Sequence, residues 1–377
     1  MFWLALVYYD IIVVMKILAI ESSCDETAAA VVEDGVRILS NVVVSQVDIF
    51  AAYGGVIPEV AARSHLEAIL PVIEKALSDA GLTKEGIDAI AVTHTPGLLG
   101  SLLIGTLTAR MLAILWGKPL YAVHHLKSHI YANWLNSGNC VEKPLCFSTQ
   151  LPEFPLLALV VSGGHTQIIY MRGHNQFEII GTTRDDAVGE CFDKVAKILG
   201  LPYPGGPAID KCALQGNPKA YELPHPQVEG LDFSFSGLKT AVLRAVQAEC
   251  GLPITTPSYE LKNHLTEQQG ADFAASFQYT ACEILTEKLK MALRGHQEAR
   301  SLVVAGGVSA SAALRKKVTE SLSEASGGKL KVYFPELKFS GDNAAMVGAA
   351  AYFEVISGVE PTDPYTLSIA PRMAITD

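Results

Sequence analysis

The chain has 377 residues, 49% of them hydrophobic and 18% charged, with a formal net charge of −10. That length suits two domains of ordinary size, and the composition excludes a disordered or fibrous protein. The acidic balance argues against a long nucleic-acid groove: an RNA partner would have to meet a local basic surface, such as Lys194, Lys197, Lys239, Arg244 or Arg315 to Lys317, or be brought by another subunit.

The first fourteen residues, MFWLALVYYDIIVV, are apolar and lead into KILAI, which raises a membrane anchor or a signal peptide. No basic segment precedes the apolar stretch, and Asp10 and Lys16 would both fall inside a span of about 20 residues. The reading adopted is an extension ahead of the folded chain, as a misplaced start codon would give, with no membrane partner. Seven scattered cysteines without a CxxC pair fit a reducing cytosol, so a cytoplasmic protein is expected.

Residues 16–21, 28–33 and 36–44 read as three successive strands, a meander. From Glu59 to Ala80, apolar residues at Val60, Leu66, Ile69, Leu70, Ile73 and Leu77 predict a long amphipathic helix stopped at Gly81, and a strand follows at 87–93. The segment 136–155 is rich in turn-formers and reads as a surface connection. The same order then recurs: strands at 156–161, 166–171 and 177–181, a helix with Phe192, Val195, Ala196 and Leu199 on one face, and a strand at 301–307. This recurrence predicts a structural duplication, with a cleft between two similar halves where glycine turns can present backbone N–H groups to an anion.

The strongest local signal is HHLKSH at 124–129. His125 and His129 are four apart and project from one helical face, as a shared metal ion requires, although imidazoles in ordinary capping or core roles give the same pattern. His124 lies off that face and reads as structural. Leu126 follows His125, so the glutamate of HExxH is missing and peptidase chemistry is disfavoured. Asp342, in GDNAAM, could complete two imidazoles and a carboxylate, a set that suits Fe(II) or Zn(II).

The turns VVSGGHT at 160–166 and AGGVSAS at 305–311 each end a strand with paired glycines, which permit positive φ and close approach to phosphate. YPGGPAID at 203–210 offers another pair with Asp210 for a ribose hydroxyl or a loop cap. Glu21, Asp25 and Glu26 in IESSCDET could handle a proton or a cation, or stabilise a turn. Asp193 could bind substrate or pair with Lys194 on a helical surface.

In order along 15–350, IESSCDET, HHLKSH, SGGHTQ, DDAVGECFDKVAK, YPGGP, DFSFSGLKTAV, AGGVSAS and GDNAAM resemble the tRNA N6-adenosine threonylcarbamoyltransferase family, formerly called O-sialoglycoprotein endopeptidases. The resemblance implies an α/β, actin, hexokinase and Hsp70-like duplicated two-domain fold with an interdomain nucleotide and metal cleft. The expected division is an N-terminal lobe of 15–123 plus 350–377 and a C-terminal lobe of 124–349, with 1–14 as the extension. By the same resemblance the metal ligands are His125, His129 and Asp342. Substrate would meet Val160, Val161, Ser162, Gly163, Gly164, Asp193, Gly206 and Asp210.

Three positions depart from the family: Ser311 stands for an asparagine, Lys127-Ser128 for Glu-Gly, and Cys191 for an alanine. Ser311 remains able to hydrogen-bond the ligand.

The implied reaction moves a threonylcarbamoyl group from threonylcarbamoyl-AMP to N6 of adenosine 37, in tRNAs reading codons that begin with A. One divalent ion serves as cofactor, the adenylate is bound as part of the substrate, and Asp25 or Glu26 assists proton transfer. The implied partners are tRNA, a paralogous actin-like subunit and a small P-loop ATPase. A sugar kinase or ATPase of the same fold is the rival, but Ser162 stands where those relatives often carry aspartate. A non-enzymatic paralogue is a second rival, against which the retained His125, His129 and Asp342 count.

Overall fold

The computed structural model describes residues 14–136, 151–226 and 228–376. Residues 1–13 of the extension, residues 137–150 of the surface connection, and Cys140 and Cys146 lie outside the described residues.

The first sheet is built on β1 (Lys16–Glu21), whose Ile17, Leu18, Ala19 and Ile20 are fully buried on both faces, as a central strand requires. On one side it pairs antiparallel with β2 (Glu26–Glu33), which pairs antiparallel with β3 (Arg37–Ser45). The short α1 (Val47–Ala51) and long α2 (Pro58–Asp79) follow. On the other side β4 (Ala89–Thr95) runs parallel to β1 and, after α3 (Leu99–Trp116), β5 (Leu120–His124) runs parallel to β4. Helix α4 (His125–Tyr131) starts at once after β5.

The second sheet repeats this plan. Strands β6 (Leu156–Val161), β7 (Thr166–Gly173) and β8 (Gln176–Thr182) form the antiparallel meander. Five helices follow: α5 (Val188–Leu199), α6 (Gly205–Ala213), α7 (Ser236–Glu249), α8 (Ser258–Leu261) and α9 (Glu267–Gly295). Strand β9 (Ser301–Ala305) then pairs parallel with β6, and α10 (Ala312–Ser326) leads to β10 (Lys331–Tyr333), parallel to β9. The two orders, β3-β2-β1-β4-β5 and β8-β7-β6-β9-β10, match strand for strand. The duplication expected from element order alone is therefore present.

The last helix, α11 (Ala344–Ile356), follows the second sheet but packs on β1, β2 and β3 of the first, whereas α4, following the first sheet, touches β6 and β9 of the second. Helices α4 and α11 also pack on each other. Small residues make the crossing possible. A side chain on Gly348 would come within 2.8 Å of Val32 and 3.4 Å of Ala19, so only hydrogen there lets α11 lie flat on the sheet. Tyr131 and Phe353 stack at 4.8 Å between ring centroids and fasten the far end.

Two expectations change. The strand at 301–307 ends at Ala305, because Gly306 takes φ of 90° and turns the backbone out of the sheet. In α2 the apolar stripe divides: Ile69 and Ile73 are buried, but Leu66 and Leu70 are 65% and 58% exposed. The sheet covers only one side of the helix, so a stripe wider than its footprint reaches solvent. Among the described residues one helix, α3, is long and apolar enough to cross a membrane; its small face, including Ser101, Gly105 and Ala109, is buried in the first lobe.

Gly348→Val should force α11 off the sheet and lower stability by about 1–3 kcal/mol or more. Gly270→Ala, in α9 where an added methyl meets nothing within 4 Å, should be neutral or stabilising. Thermal unfolding of the two variants checks the difference.

Candidate metal centre and adenylate cleft

His124 closes β5 and caps α4: its Nδ1 accepts the Leu126 N–H at 3.2 Å. The helix then carries His125 and His129 on one face, with ring centroids 4.6 Å apart. Asp342 arrives from the loop before α11. Asn343 holds that loop, its Nδ2 donating to Phe339 O at 3.3 Å and to Gly341 O at 2.9 Å, while its Oδ1 accepts the Met346 N–H at 3.1 Å to cap the helix.

Asp342 Oδ1 lies 3.5 Å from His125 Nε2 and 3.1 Å from His129 Nε2, and one ligand atom from each of the three side chains fits within 4.8 Å of the others. His129 is buried, and neither of its ring nitrogens has an aligned hydrogen bond among the described residues, despite the short approach to Asp342. An imidazole left in this way inside a protein is costly, and its lone pair converging with a carboxylate is what a cation would satisfy. The residues fit a divalent ion.

Glu21, at the end of β1, supports this face. Its Oε2 lies 3.1 Å from His125 Nδ1 and accepts Thr93 Oγ1 at 2.6 Å, while Oε1 accepts the Ser23 N–H at 2.6 Å. A carboxylate on Nδ1 fixes the tautomer that leaves Nε2 free for a ligand. Burial alone would raise the Glu21 carboxyl, but the charge and hydrogen bond of His125 outweigh it and hold it below its ordinary value. Asp342 is likewise opposed by burial yet lowered by His125 and then His129. Among the expected carboxylates, then, Glu21 orients a histidine.

Glu26 behaves in the opposite sense. Burial, then the charges of Asp342 and Asp25, push its carboxyl well above the usual range. Asp25, at the same turn, is 9% exposed.

The turn after β6 approaches this face from the second sheet. Val160 and Val161 are fully buried and pair in the sheet, Val160 with both β7 and β9, whereas Gly163 and Gly164 are exposed. Of the four paired glycines in the two turns only Gly306 uses positive φ; a side chain there would strike Val161 O at 2.4 Å, and one on Gly189 would strike Ser162 O at 2.5 Å. The glycines thus serve close backbone packing as much as ligand approach. The turn is tied at both ends, the Ser162 N–H donating to His165 O at 2.9 Å and the His165 N–H to Ser162 Oγ at 3.2 Å. His165, not singled out from sequence although it closes SGGH, lies near the metal-type cluster: burial, then the charges of His125 and His129, lower it to about 4.

Asp193 accepts the Gly205 N–H at 2.7 Å and is raised by burial. It does not pair with Lys194, which binds Asp186 at 2.7 Å and Glu190 at 2.9 Å instead. Gly206 is the second residue of α6, and a side chain there would meet nothing within 4 Å. Asp210 Oδ1 accepts Ser311 Oγ at 3.0 Å and Gln278 Nε2, so Asp210 and Ser311 form one wall, and Asp210 Oδ2 has no hydrogen-bond partner among the described residues. Ser311 also caps α10.

Several residues of the suggested basic surface are engaged within the chain. Arg315 turns inward to Ser309 O, Pro335 O and Ser340 Oγ, Lys317 pairs with Glu283, and Arg244 binds Ile254 O. Lys127, at its unusual place in the histidine motif, lies 3.9 Å from the buried carboxylate of Glu354 on α11 and over the ring of Phe177. It bridges α4, which carries the two histidines, and α11, which follows Asp342.

Residues 37–349 match the family model described as TsaD, tRNA N6-adenosine threonylcarbamoyltransferase. The chain is 52% identical over 344 residues to the tRNA N6-adenosine threonylcarbamoyltransferase of Symbiobacterium thermophilum, covering 91% of this chain and 92% of that one. It is 47% identical over 355 residues to that of Thermomicrobium roseum, covering 92% and 93%. Among solved structures, HypF from T. kodakarensis superposes with a TM-score of 0.56 at 14% identity, over 95% of this chain and 50% of that one, which shows a shared fold.

Burial raises the Glu354 carboxyl to about 7, against the opposing charge of Lys127. Between its ordinary value of 4.5 and 7 the folded chain therefore holds a proton that the unfolded chain has released, and stability falls as pH rises through that window. Relative to Glu354→Gln, the parent should lose on the order of 2–3 kcal/mol from pH of about 4.5 to about 7.5. Denaturant unfolding of both proteins across that range measures the slope.

Proposed function

The chain belongs to the tRNA N6-adenosine threonylcarbamoyltransferase family and forms N6-threonylcarbamoyladenosine in tRNA; from that premise we propose how its own residues divide the work. The observation that carries the assignment is the convergence of His125, His129 and Asp342, with the buried His129 imidazole lacking an aligned partner. Held by these three, a divalent ion, Fe(II) or Zn(II), would supply Lewis-acid polarisation to a carbonyl oxygen.

The remaining roles follow from position. The acyl donor is threonylcarbamoyl-AMP, and its adenylate end lies in the cleft against the backbone of Val160, Val161, Ser162, Gly163 and Gly164. Asp193 and Gly206 flank it, and Asp210 with Ser311 takes a ribose hydroxyl. The N6 amine of adenosine 37 forms a bond to the carbamoyl carbon, the bond from that carbon to the phosphate oxygen breaks, and AMP departs. Asp25 accepts the amine proton, and Glu26, whose carboxyl burial and neighbouring charge push well above its ordinary value, stands beside it as a proton donor. The lobes on either side of the substrate are 15–123 plus 350–377 and 124–349.

The partner subunits are a paralogous actin-like chain and a small P-loop ATPase. Support for the first is the exposed apolar stripe of Leu103, Leu107, Met111 and Leu115 on α3, continued by Leu66 and Leu70 on α2. A face of this kind on paired helices suits the equivalent pair of a related chain. The described cysteines Cys24, Cys191, Cys212, Cys250 and Cys282 are unpaired, which suits a cytoplasmic setting.

His125→Ala should lose bound metal and threonylcarbamoyl transfer together, and Glu21→Gln, which keeps all three ligands, should weaken metal affinity by about 10–100-fold. Elemental analysis and chelator competition read the metal, and transfer to unmodified tRNA reads the reaction; full transfer by metal-free protein rejects the assignment. Leu107→Asp should abolish complex formation with the paralogous subunit in size-exclusion chromatography while leaving metal content unchanged.

A further inference from the structure

The segment after α11 returns to the site. Its Ala370 N–H donates to His94 O at 3.1 Å, the Gly97 N–H donates to Pro371 O at 3.2 Å, and His124 Nε2 lies 3.2 Å from Met373 O. The backbone is thus pinned on both sides of Arg372, once to the turn after β4 and once to the residue that caps α4. The Arg372 guanidinium has no hydrogen bond or ion pair among the described residues, in a chain where Lys194, Arg315 and Lys317 are all engaged. It lines a cavity of about 620 Å³ with His165, Pro96, Gly97, Pro371 and Met373.

The two prolines offer that cavity no N–H, and the Gly97 N–H is already spent on Pro371 O. The charged hydrogen-bond donor facing the space is the arginine. Across His165 the cavity adjoins His125, His129 and Asp342, whose charges His165 feels. The cluster beyond His165 carries the carboxylates of Glu21 and Asp342 beside its histidines. An anionic acyl donor entering here needs a cation, and a guanidinium matches the two oxygens of a carboxylate in one plane.

We propose that Arg372, presented by the pinned C-terminal segment, binds the free carboxylate of the threonylcarbamoyl group. It thereby selects an amino-acid-derived carbamoyl group over an uncharged one. The inference rests on the transfer reading above and deepens it, for the adenylate turns recognise the nucleotide end and say nothing about which carbamoyl group is accepted. The carboxylate lies only two bonds beyond the carbamoyl nitrogen, so a group bound there also fixes the direction of the reacting carbonyl.

The test compares two acyl donors, threonylcarbamoyl-AMP and the analogue made with 1-amino-2-propanol, which lacks only the carboxylate. Both are titrated onto the metal-loaded parent, Arg372→Gln and Arg372→Lys without tRNA, and then used in transfer assays. The parent should bind threonylcarbamoyl-AMP about 10–100-fold more tightly than the analogue, and Arg372→Gln should lose that preference while binding the analogue as the parent does. Arg372→Lys should restore part of it, and KM for tRNA should not move. A preference retained by Arg372→Gln overturns the inference alone, as does a rise in KM for tRNA with both acyl donors, which would assign the arginine to a tRNA phosphate. A parent that binds neither donor and transfers neither group removes the transfer reading and this inference with it.

Discussion

The chemistry of this protein depends on one packing constraint: α4 and α11 must cross between the two sheets at close range. Each helix follows one sheet and packs against the other, so the ligands they carry come from both halves of a duplicated chain. Glycine at 348 lets α11 settle on β1 and β2, and the stacking of Tyr131 and His174 on Phe353 locks the far ends. Because protein interiors are packed without slack, a shift of α11 by even a fraction of an ångström would move Asp342 away from His125 and His129. The metal-type centre is therefore a property of the interlobe packing before it is a property of three residues.

Electrostatics then sort side chains of one type into different tasks. Glu21, Glu26 and Asp342 are carboxylates crowded at one face, yet the histidines hold Glu21 and Asp342 below their ordinary values while burial and acidic neighbours push Glu26 well above its own. The sorting follows distance to the imidazoles. A carboxylate touching His125 gains more from that charge than it loses by burial, whereas Glu26 meets chiefly its acidic neighbours. Separated proton affinities within one small volume are what acid and base work at neutral pH requires.

Much of this was legible in the sequence wherever the signal was local. Fully apolar runs such as LLALVV mark strands buried on both faces, and the repeated order of strands revealed the duplication. The spacing of His125 and His129 fixes their common face within a single helix. Legibility ended where a neighbour had to be known. Nothing near Glu21 in sequence says that it orients a histidine 104 positions away, and nothing near Leu66 says that the sheet leaves it uncovered. Among the basic residues read as a nucleic-acid surface, the fold turns Arg244 and Arg315 onto backbone carbonyls and Lys194 and Lys317 onto carboxylates. Lys127 looked like a simple departure from its family, but it meets a buried glutamate on α11.

The duplicated plan also explains why recognition is spread over remote segments. In each half the parallel strands β1 and β6 end at the cleft, so the turns that follow them face one another, and backbone groups there can meet an adenylate whatever the side chains are. Selectivity for the transferred group needs side chains, since backbone groups offer the same contacts whatever group is carried. The side chains that supply chemistry to this frame lie on the histidine helix and at the end of β1 and, by the inference above, on the C-terminal segment carrying Arg372. His125, His129 and Asp342 gather around one ion-sized space, while Asp210 and Ser311 pair in a contact of their own, so the two groups of side chains can serve different parts of one ligand.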